Sequence, residues 1–287
     1  MITLGRGALE IDIAPDLGGA VTRLEHGDIP VLRIGGTAHV LEASSFPLVP
    51  IANRIENGAF KFGGKEYKVP LNFADHPHAL HGHGWQNSWR VETVSRDRVS
   101  LAFDRPKDAA WPWSYLAEQV FSMTEDGVSI VLKLSNKDDK PMPYSLGLHP
   151  YFPRHPGSKL TASVKEMWRA DSTMIPTELV PATDLIDLGK GQVISTAPFV
   201  DNTFTGWQGP ARIEQPELGL EITLKASANC GFFHVFIPTG ENYFCAEPTT
   251  AMPNALNRSE SADETGAGVL EPGKSVSMEM QISIRKL

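Results

Sequence analysis

Histidines are concentrated in one short stretch of the chain, which holds four of the nine histidines of the sequence at His76, His78, His81 and His83. In an extended chain, a spacing of two would put His81 and His83 on the same side. They would then form half of a metal site, since imidazole is a common ligand of zinc, copper and iron. The stretch also suits the polar wall of a sugar-binding pocket, with Trp85 offering an apolar ring face, or a solvated loop. A metal site would need a further ligand from elsewhere in the chain.

Two other residues are of types that perform acid–base chemistry, and each precedes a proline. His149 stands among apolar and aromatic neighbours and is followed by Pro150, which favours an extended backbone at the end of a strand or in a corner. Such a histidine either exchanges protons near neutral pH or is a hydrogen-bonded core residue. Glu247 closes an apolar run and is followed by Pro248. Burial would raise the pKa of Glu247 and make it a better general base, whereas at a strand end it would simply reach water.

Three polar residues are candidates for holding a ligand. Asn53 and Arg54 lie between two turn-forming residues, Pro50 and Gly58. The planar guanidinium of Arg54 matches two oxygens at once, as neighbouring sugar hydroxyls offer them. Asp201 would bind hydroxyl groups or begin a turn.

The elements that must position these residues are predicted to be strands, because apolar and polar residues alternate from end to end. Leu9, Ile11 and Ile13 fall on one face of the first such run. The pair Gly63-Gly64 separates two runs and predicts a tight hairpin, since primed turns need a positive φ. A second hairpin is predicted over residues 119–134, with its turn at Asp126-Gly127. Further strands are predicted at residues 89–94, 99–103, 160–164, 220–224, 232–237, 243–246 and 275–284.

Turn-forming residues interrupt these runs at short intervals, as a many-stranded sandwich requires: the chain has 25 glycines and 22 prolines. No linker, charge block or internal repeat divides the sequence. Residues 176–192 and 257–273 are predicted to be long surface loops. The sequence therefore predicts an all-β protein, with one large antiparallel β-sandwich domain over residues 1–287.

Composition narrows the function classes. The net charge of −8, with basic residues scattered among acidic ones, argues against a nucleic-acid partner. Apolar stretches are far shorter than the about 20 residues of a membrane span, so we expect no membrane partner. The opening residues lack the features of a secretory signal, and Cys230 and Cys245 are expected to be buried thiols rather than a disulfide. We expect a cytoplasmic protein.

In their order and long-range spacing, four motifs resemble the aldose 1-epimerase (galactose mutarotase-like) family over roughly residues 46 to 257. The motifs are Ala52-Asn53-Arg54-Ile55, Leu80-His81-Gly82, His149-x-Tyr151-Phe152 and Glu247-Pro248.

The resemblance implies the large β-sandwich known as the supersandwich and a mutarotase that interconverts the α and β anomers of an aldose. It implies that Glu247 is the general base and His149 the general acid. It also implies that Arg54, His81 and Asp201 hold the sugar, that Asn53 and Tyr151 line the site, and that no metal or other cofactor takes part.

This chain departs from the family pattern at several positions beside the motifs. Pro50-Ile51 stand where a tyrosine often precedes the first motif, and Gly147 replaces a polar residue two positions before the acid histidine. Pro150 replaces a frequent serine, and Thr249 replaces a glutamine. The acid–base pair is kept, while the identity of the sugar stays open.

Other functions remain compatible with the sequence. A mutarotase for a hexose 6-phosphate or another anionic sugar would need extra positive charge at the pocket, for which Arg90, Arg96, Arg98 and Arg154 are candidates. A non-catalytic carbohydrate-binding protein would need no acid–base pair. A glycoside hydrolase or lyase ranks lower, because glycoside hydrolysis usually takes two carboxylates. A metalloenzyme built on the histidine stretch is a further alternative. The sequence leaves the oligomeric state open.

Overall fold

The alternation of the sequence becomes strand structure along most of the chain in a computed structural model that describes residues 1–287. Helical structure is confined to a single turn, α1 (Ala262–Thr265), and to short 3-10 turns. In chain order, the strands are β1 (Ile2–Arg6), β2 (Leu9–Ala14), β3 (Ala20–His26), β4 (Ile29–Pro30), β5 (Pro47–Leu48), β6 (Arg54–Ile55), β7 (Ala59–Phe62), β8 (Lys65–Lys68), β9 (Ala79–Leu80), β10 (Arg90–Val94), β11 (Arg98–Arg105), β12 (Tyr115–Met123), β13 (Gly127–Asn136), β14 (Met142–Tyr144), β15 (Gly147–Leu148), β16 (Tyr151–Pro153), β17 (Lys159–Ala162), β18 (Glu166–Ala170), β19 (Pro176–Pro181), β20 (Gln192–Val193), β21 (Val200–Thr205), β22 (Ala211–Gln215), β23 (Leu220–Ala226), β24 (Phe232–Ile237), β25 (Tyr243–Thr249), β26 (Gly268–Leu270) and β27 (Ser275–Lys286).

Two large antiparallel sheets dominate the architecture. The first has nine strands in the order β10-β11-β12-β13-β27-β23-β22-β17-β20. The second has eight, in the order β19-β18-β21-β24-β25-β15-β5, with β16 also paired to β25. One cluster of 56 buried apolar residues draws on both sheets, as expected where two sheets share a core. The prediction of an all-β antiparallel sandwich is confirmed.

Local predictions from the alternating pattern agree with the structure. Strand β2 buries Leu9, Ile11 and Ile13. Strands β7 and β8 pair in register around Gly63 and Gly64, whose φ angles of 55° and 76° are those that a tight hairpin requires. Strands β12 and β13 form the second predicted hairpin.

The prediction that residues 176–192 and 257–273 are surface loops was wrong in part. Residues 176–192 begin with β19, an edge strand whose side chains are mostly exposed. Residues 257–273 contain α1 and the short strand β26, which pairs with β14. Neither strand shows apolar alternation, because each owes its conformation to pairing instead of to burial of one face: β19 pairs with the preceding strand β18, and β26 with the distant β14.

The ladder of the eight-stranded sheet is interrupted at the side of β25. Strand β16 pairs with residues 243–245 of β25, and β15 pairs with Thr249 only, so residues 246–248 have no partner strand on that side. Strand β25 therefore runs through Glu247 and Pro248 to Thr249, three residues beyond the predicted end at Ala246. A proline is tolerated where a ladder hydrogen bond is absent. This gap is where the candidate site lies.

None of the helical segments has the length or the apolar character needed to span a bilayer.

Candidate active site

The seven residues selected from the sequence line one cavity of about 260 Å³. They are Asn53, Arg54, His81, His149, Tyr151, Asp201 and Glu247. The remaining lining residues are Leu41, Phe73, Leu80, His234, Phe236 and Tyr243. Long-range folding thus brings together side chains that lie almost 200 positions apart in the chain.

Neighbouring strands of the eight-stranded sheet supply the floor of this cavity. Thr203 on β21 pairs with His234 on β24, which pairs with Glu247 on β25. Residues paired across antiparallel strands project to the same face, so these three side chains form a row. Asp201 lies two residues before Thr203 and extends the same face.

The gap in the ladder brings His149 to Glu247. His149 and Pro150 connect β15 to β16, and the backbone N–H of His149 donates to the carbonyl of Phe46, 3.1 Å away. The imidazole Nε2 then lies 3.3 Å from Oε1 of Glu247. The side chains are 9% and 1% exposed, so water barely screens the pair. The two prolines noted in the sequence, Pro150 and Pro248, thus flank an interruption in which an imidazole and a carboxyl group face each other.

Burial shifts the two members of this pair in opposite directions. It raises the pKa of Glu247 well above its usual range, with the charge of Asp201 as a further cause. It lowers the pKa of His149 well below its usual range, with the proximity of His81 and His234 as further causes. Both charged forms are disfavoured for the same reason, the loss of hydration. Desolvation therefore favours an uncharged pair that shares one exchangeable proton.

Each member of the pair also presents an unused polar atom. Nδ1 of His149 and Oε2 of Glu247 are buried and have no hydrogen-bond partner. Leaving a buried polar atom unpaired costs about 1–3 kcal/mol, so unpaired atoms in a cavity indicate positions for ligand atoms.

A charged network adjoins the pair. Arg54 donates through Nη1 and Nη2 to the two carboxylate oxygens of Asp201, at 3.2 and 2.8 Å, and through Nη1 to Oδ1 of Asn53, at 2.9 Å. His234 adds a contact of 2.9 Å from Nε2 to Asp201. Although burial acts to raise it, these hydrogen bonds and the charge of Arg54 hold the pKa of Asp201 well below its usual range. The carboxylate is fixed as an acceptor, and it neutralises the arginine.

The backbone is strained where Asn53 and His81 meet. Both residues have a left-handed conformation, with φ angles of 60° and 55°. His81 N–H donates to the carbonyl of Asn53 at 2.8 Å, and Asn53 N–H donates to Nδ1 of His81 at 3.2 Å. With Nδ1 accepting, the proton of the neutral ring is on Nε2. Burial, and then the charge of Arg54, lower the pKa of His81 to about 3, so His81 is an uncharged donor at neutral pH. Non-glycine residues held in this region of φ often mark functional sites.

Aromatic rings hold His149 in place. Its ring stacks on Tyr151, with centroids 4.6 Å apart, and on Phe46, with centroids 4.7 Å apart. The guanidinium of Arg33 covers Tyr151 at 3.5 Å from the ring centroid and donates to the carbonyl of Ala43. A cation over an aromatic ring is an attractive arrangement. The imidazole is thereby packed against rigid neighbours.

The four histidines of the histidine-rich stretch do not converge. His81 and Gly82 both have a positive φ, so the chain is not extended there, which removes the ground for the prediction that His81 and His83 share a side. His81 faces the cavity, whereas Nδ1 of His83 lies 3.4 Å from the hydroxyl of Tyr115. His78 accepts from the N–H of Asn57.

The structure brings three possible metal ligands together elsewhere. They are His149, Cys245 and Glu247, and one ligand atom of each lies within 4.8 Å of the others.

Sequence reasoning missed His234, although a signal for it was available. This histidine interrupts the otherwise apolar strand β24 and is 3% exposed. A polar side chain buried in such a run must have a partner, and His234 has two, Asp201 and Thr203. No comparable signal pointed to Arg33, whose place beneath Tyr151 depends on tertiary contacts.

One departure from the family pattern has a steric reason. A Cβ atom at Gly147 would lie 2.8 Å from Leu48 and 2.9 Å from Thr249, the residue that it pairs with. The glycine and the threonine, two of the departures noted in the sequence, therefore accommodate each other.

Comparison with known proteins supplies a family for this arrangement. The family model described as aldose 1-epimerase matches residues 1–283. YphB, an uncharacterised protein of Escherichia coli K12, is 31% identical over 294 residues, covering 99% of each chain. A crystal structure from Escherichia coli K12, provisionally assigned as an aldose 1-epimerase, is 29% identical, has a TM-score of 0.91 and covers 99% of this chain and 98% of its own. The galactose mutarotase of Mus musculus is 25% identical over 158 residues, 51% of this chain and 45% of its own.

Proposed function

Because the chain belongs to the aldose 1-epimerase family, we propose that it interconverts the α and β anomers of an aldose through ring opening and closure. The observation that carries the proposal is the placing of His149 and Glu247, 3.3 Å apart, at a cavity lined with groups that bind hydroxyls. The reaction needs one group to take a proton and one to give a proton, and neither redox chemistry nor group transfer.

The protons balance within the pair. In the reactive form His149 carries the shared proton and Glu247 is a carboxylate. Glu247 takes the proton of the C1 hydroxyl while His149 protonates the ring oxygen, and the ring opens to the aldehyde. Rotation about the C1–C2 bond and reclosure return both protons and give the other anomer.

Burial makes the charge-separated form of the pair the less populated one, and it favours the ring-opening step that starts from this form. That step converts a charge-separated pair into an uncharged one, and a site shielded from water favours the uncharged form. The separation of 3.3 Å lets the proton pass between the two side chains when the next sugar binds. Each proton transfer by a positioned group is worth about 10²–10⁴-fold in rate.

The other polar groups orient the sugar. Arg54, His81 and Asp201 would bind hydroxyls, while Asn53 and Tyr151 complete the walls. His234 would act as a positioning residue, because it holds Asp201 and through it Arg54. Orientation of this kind supplies several kcal/mol toward the barrier.

We favour a neutral aldose over a phosphorylated or otherwise anionic one. Arg54 is the only lysine or arginine that lines the cavity, and Asp201 already neutralises it. Arg90 pairs with Glu92 and Asp104 on the nine-stranded sheet, and Arg154 donates to the carbonyl of Pro238. Arg96 and Arg98 are exposed and do not line the cavity. Among the residues that line the cavity, an anionic group would therefore meet no unpaired lysine or arginine.

Anomer exchange tests the proposal directly. Freshly dissolved α-anomers of glucose, galactose, L-arabinose and glucose 6-phosphate would be followed by optical rotation or saturation-transfer NMR. We expect acceleration of at least one neutral aldose, with glucose 6-phosphate converted more slowly than glucose. His149→Gln should lower the rate by about 10²–10⁴-fold.

The matched control is His26→Gln, which changes a histidine on β3, outside the cavity, and should leave the rate unchanged. Tight sugar binding without acceleration of any anomer would support the non-catalytic alternative instead.

A further inference from the structure

The thiol of Cys245 has no part in the proposed reaction, yet it lies beside both residues of the acid–base pair. Cys245 is a free cysteine on β25, two residues before Glu247, and it is fully buried. Residues two apart on a strand project to the same face, so the thiol and the carboxyl lie on the cavity side of the sheet. One ligand atom from each of His149, Cys245 and Glu247 lies within 4.8 Å of the other two.

Two of these three side chains carry the unpaired atoms described above. Nδ1 of His149 and Oε2 of Glu247 have no hydrogen-bond partner, although both side chains are more than nine-tenths buried. The imidazole nitrogen that faces Glu247 is Nε2, so the cluster offers this nitrogen, the thiol sulfur and a carboxyl group whose Oε2 is unpaired. Thiolate, imidazole and carboxylate are the ligands that Zn²⁺ takes in proteins.

We propose that His149, Cys245 and Glu247 form a binding site for a thiophilic divalent metal ion such as Zn²⁺, and that occupation of this site inhibits the enzyme in competition with the sugar. The inhibition rests on the proposed function, whereas the binding does not. Three protein ligands leave a fourth position facing the cavity, where water completes a tetrahedral shell.

The geometry is close to that of a metal site. Bonds of about 2.0–2.3 Å place tetrahedral ligand atoms about 3.5 Å apart. Nε2 of His149 and Oε1 of Glu247 are already 3.3 Å apart, so the three side chains need to close by about an ångström.

Charge and protons also balance. Zn²⁺ binds the thiolate of Cys245, the carboxylate of Glu247 and the neutral imidazole of His149. The thiol proton and the proton shared by the pair leave to solvent, because metal ligands bind in their deprotonated forms. The buried site ends with no net charge. The ion occupies the two groups that the sugar needs, so metal and sugar exclude each other.

Binding would be tested with Co²⁺, whose thiolate complexes absorb in the near ultraviolet. The full-length protein should show this thiolate band at one equivalent, and Cys245→Ser and Cys245→Ala should not. Cys230→Ser is the matched control, because Cys230 is the only other cysteine and lies in a different part of the chain. X-ray absorption at the zinc edge of the wild-type protein would show one sulfur in the shell without requiring any variant to fold.

Inhibition would be tested separately. Zn²⁺ should raise the apparent KM for the sugar without changing kcat. The Cys245 variants should keep their basal rate and need at least about tenfold more Zn²⁺ for the same effect. Absence of a thiolate band in the wild-type protein, or equal Zn²⁺ affinity in wild type and Cys245→Ala, would overturn the proposal. A band in a protein without mutarotase activity would leave the metal site standing and refute the proposed function alone.

Discussion

The two large sheets of this protein have opposite characters. The nine-stranded sheet contains long strands in unbroken register, such as β12 and β13, which pair over nine consecutive residues. On its strands no carboxylate, histidine, lysine or arginine is buried. The eight-stranded sheet has shorter strands and a gap in its ladder, and it buries Asp201, His234 and Glu247.

The difference indicates that one sheet mainly stabilises the fold while the other carries the candidate site. A regular sheet whose inner face is apolar contributes stability through burial and close packing. The eight-stranded sheet places unpaired polar atoms and the desolvated pair of His149 and Glu247 at its interruption, which costs stability and, in the proposed function, supplies the acid and the base. Substitutions should therefore separate activity from stability according to the sheet that carries them.

The largest effect is expected from Glu247→Gln. Loss of the base should lower kcat/KM by about 10²–10⁴-fold while the fold is kept.

The Glu247→Gln variant should also gain thermal stability over wild type as the pH rises. Because burial raises the pKa of Glu247 above its usual 4.5, the folded protein binds that proton more tightly than the unfolded chain does, and wild-type stability falls as the pH rises from 4.5 toward the folded pKa. Glutamine has no such proton to lose.

Anomer exchange and the melting temperature at pH 4.5, 6, 7.5 and 9 would check both parts. Glu118→Gln is the matched control, since Glu118 pairs with Lys133 on the nine-stranded sheet and lies outside the cavity. It should leave the rate unchanged. Turnover by Glu247→Gln within tenfold of wild type would remove Glu247 as the base.

The next effect concerns the apolar cores of the two sheets. Leu132→Ala on β13 removes a fully buried side chain and should lower the free energy of unfolding by about 2–5 kcal/mol. Activity of the folded variant should stay within about twofold of wild type, since distant sites usually act independently.

Val235→Ala on β24 also changes a fully buried residue, but Val235 lies between His234 and Phe236, so it should reduce both stability and activity. Urea unfolding and anomer exchange on both variants would show whether the sheets differ; equal activity losses would refute the comparison.

The smallest effect is expected from His234. His234→Asn removes the Nε2 contact with Asp201, and a hydrogen bond to a charged group is worth about 1.5–3 kcal/mol. The loss should be seen mainly as a higher KM, because Asp201 and Arg54 would hold the sugar less well. His234→Gln, whose amide can donate from a similar position, should restore much of the affinity. Steady-state kinetics on both variants would decide, and an unchanged KM in His234→Asn would exclude the positioning role.

Patterns within short segments accounted for most of the fold prediction. The hairpins at Gly63-Gly64 and Asp126-Gly127 and the alternation of β2 depend on neighbours in the chain, so they could be predicted. Strand β19 could not, because its exposed residues carry no pattern and its conformation depends on pairing with β18. The bend at His81 and Gly82 was missed for a similar reason, since reciprocal hydrogen bonds with Asn53 hold His81 in its left-handed conformation.

The sequence by itself determined the residue types of the candidate site, the two prolines that follow His149 and Glu247, and the antiparallel all-β fold. Only the tertiary structure decided how these residues act on one another. The contact of His149 with Glu247, the fork of Arg54 on Asp201, the support from His234 and the nearness of Cys245 join segments far apart in the chain. The pKa shifts of His149 and Glu247 also depend on the tertiary structure, because desolvation of the two side chains arises only when the folded chain excludes water from the site.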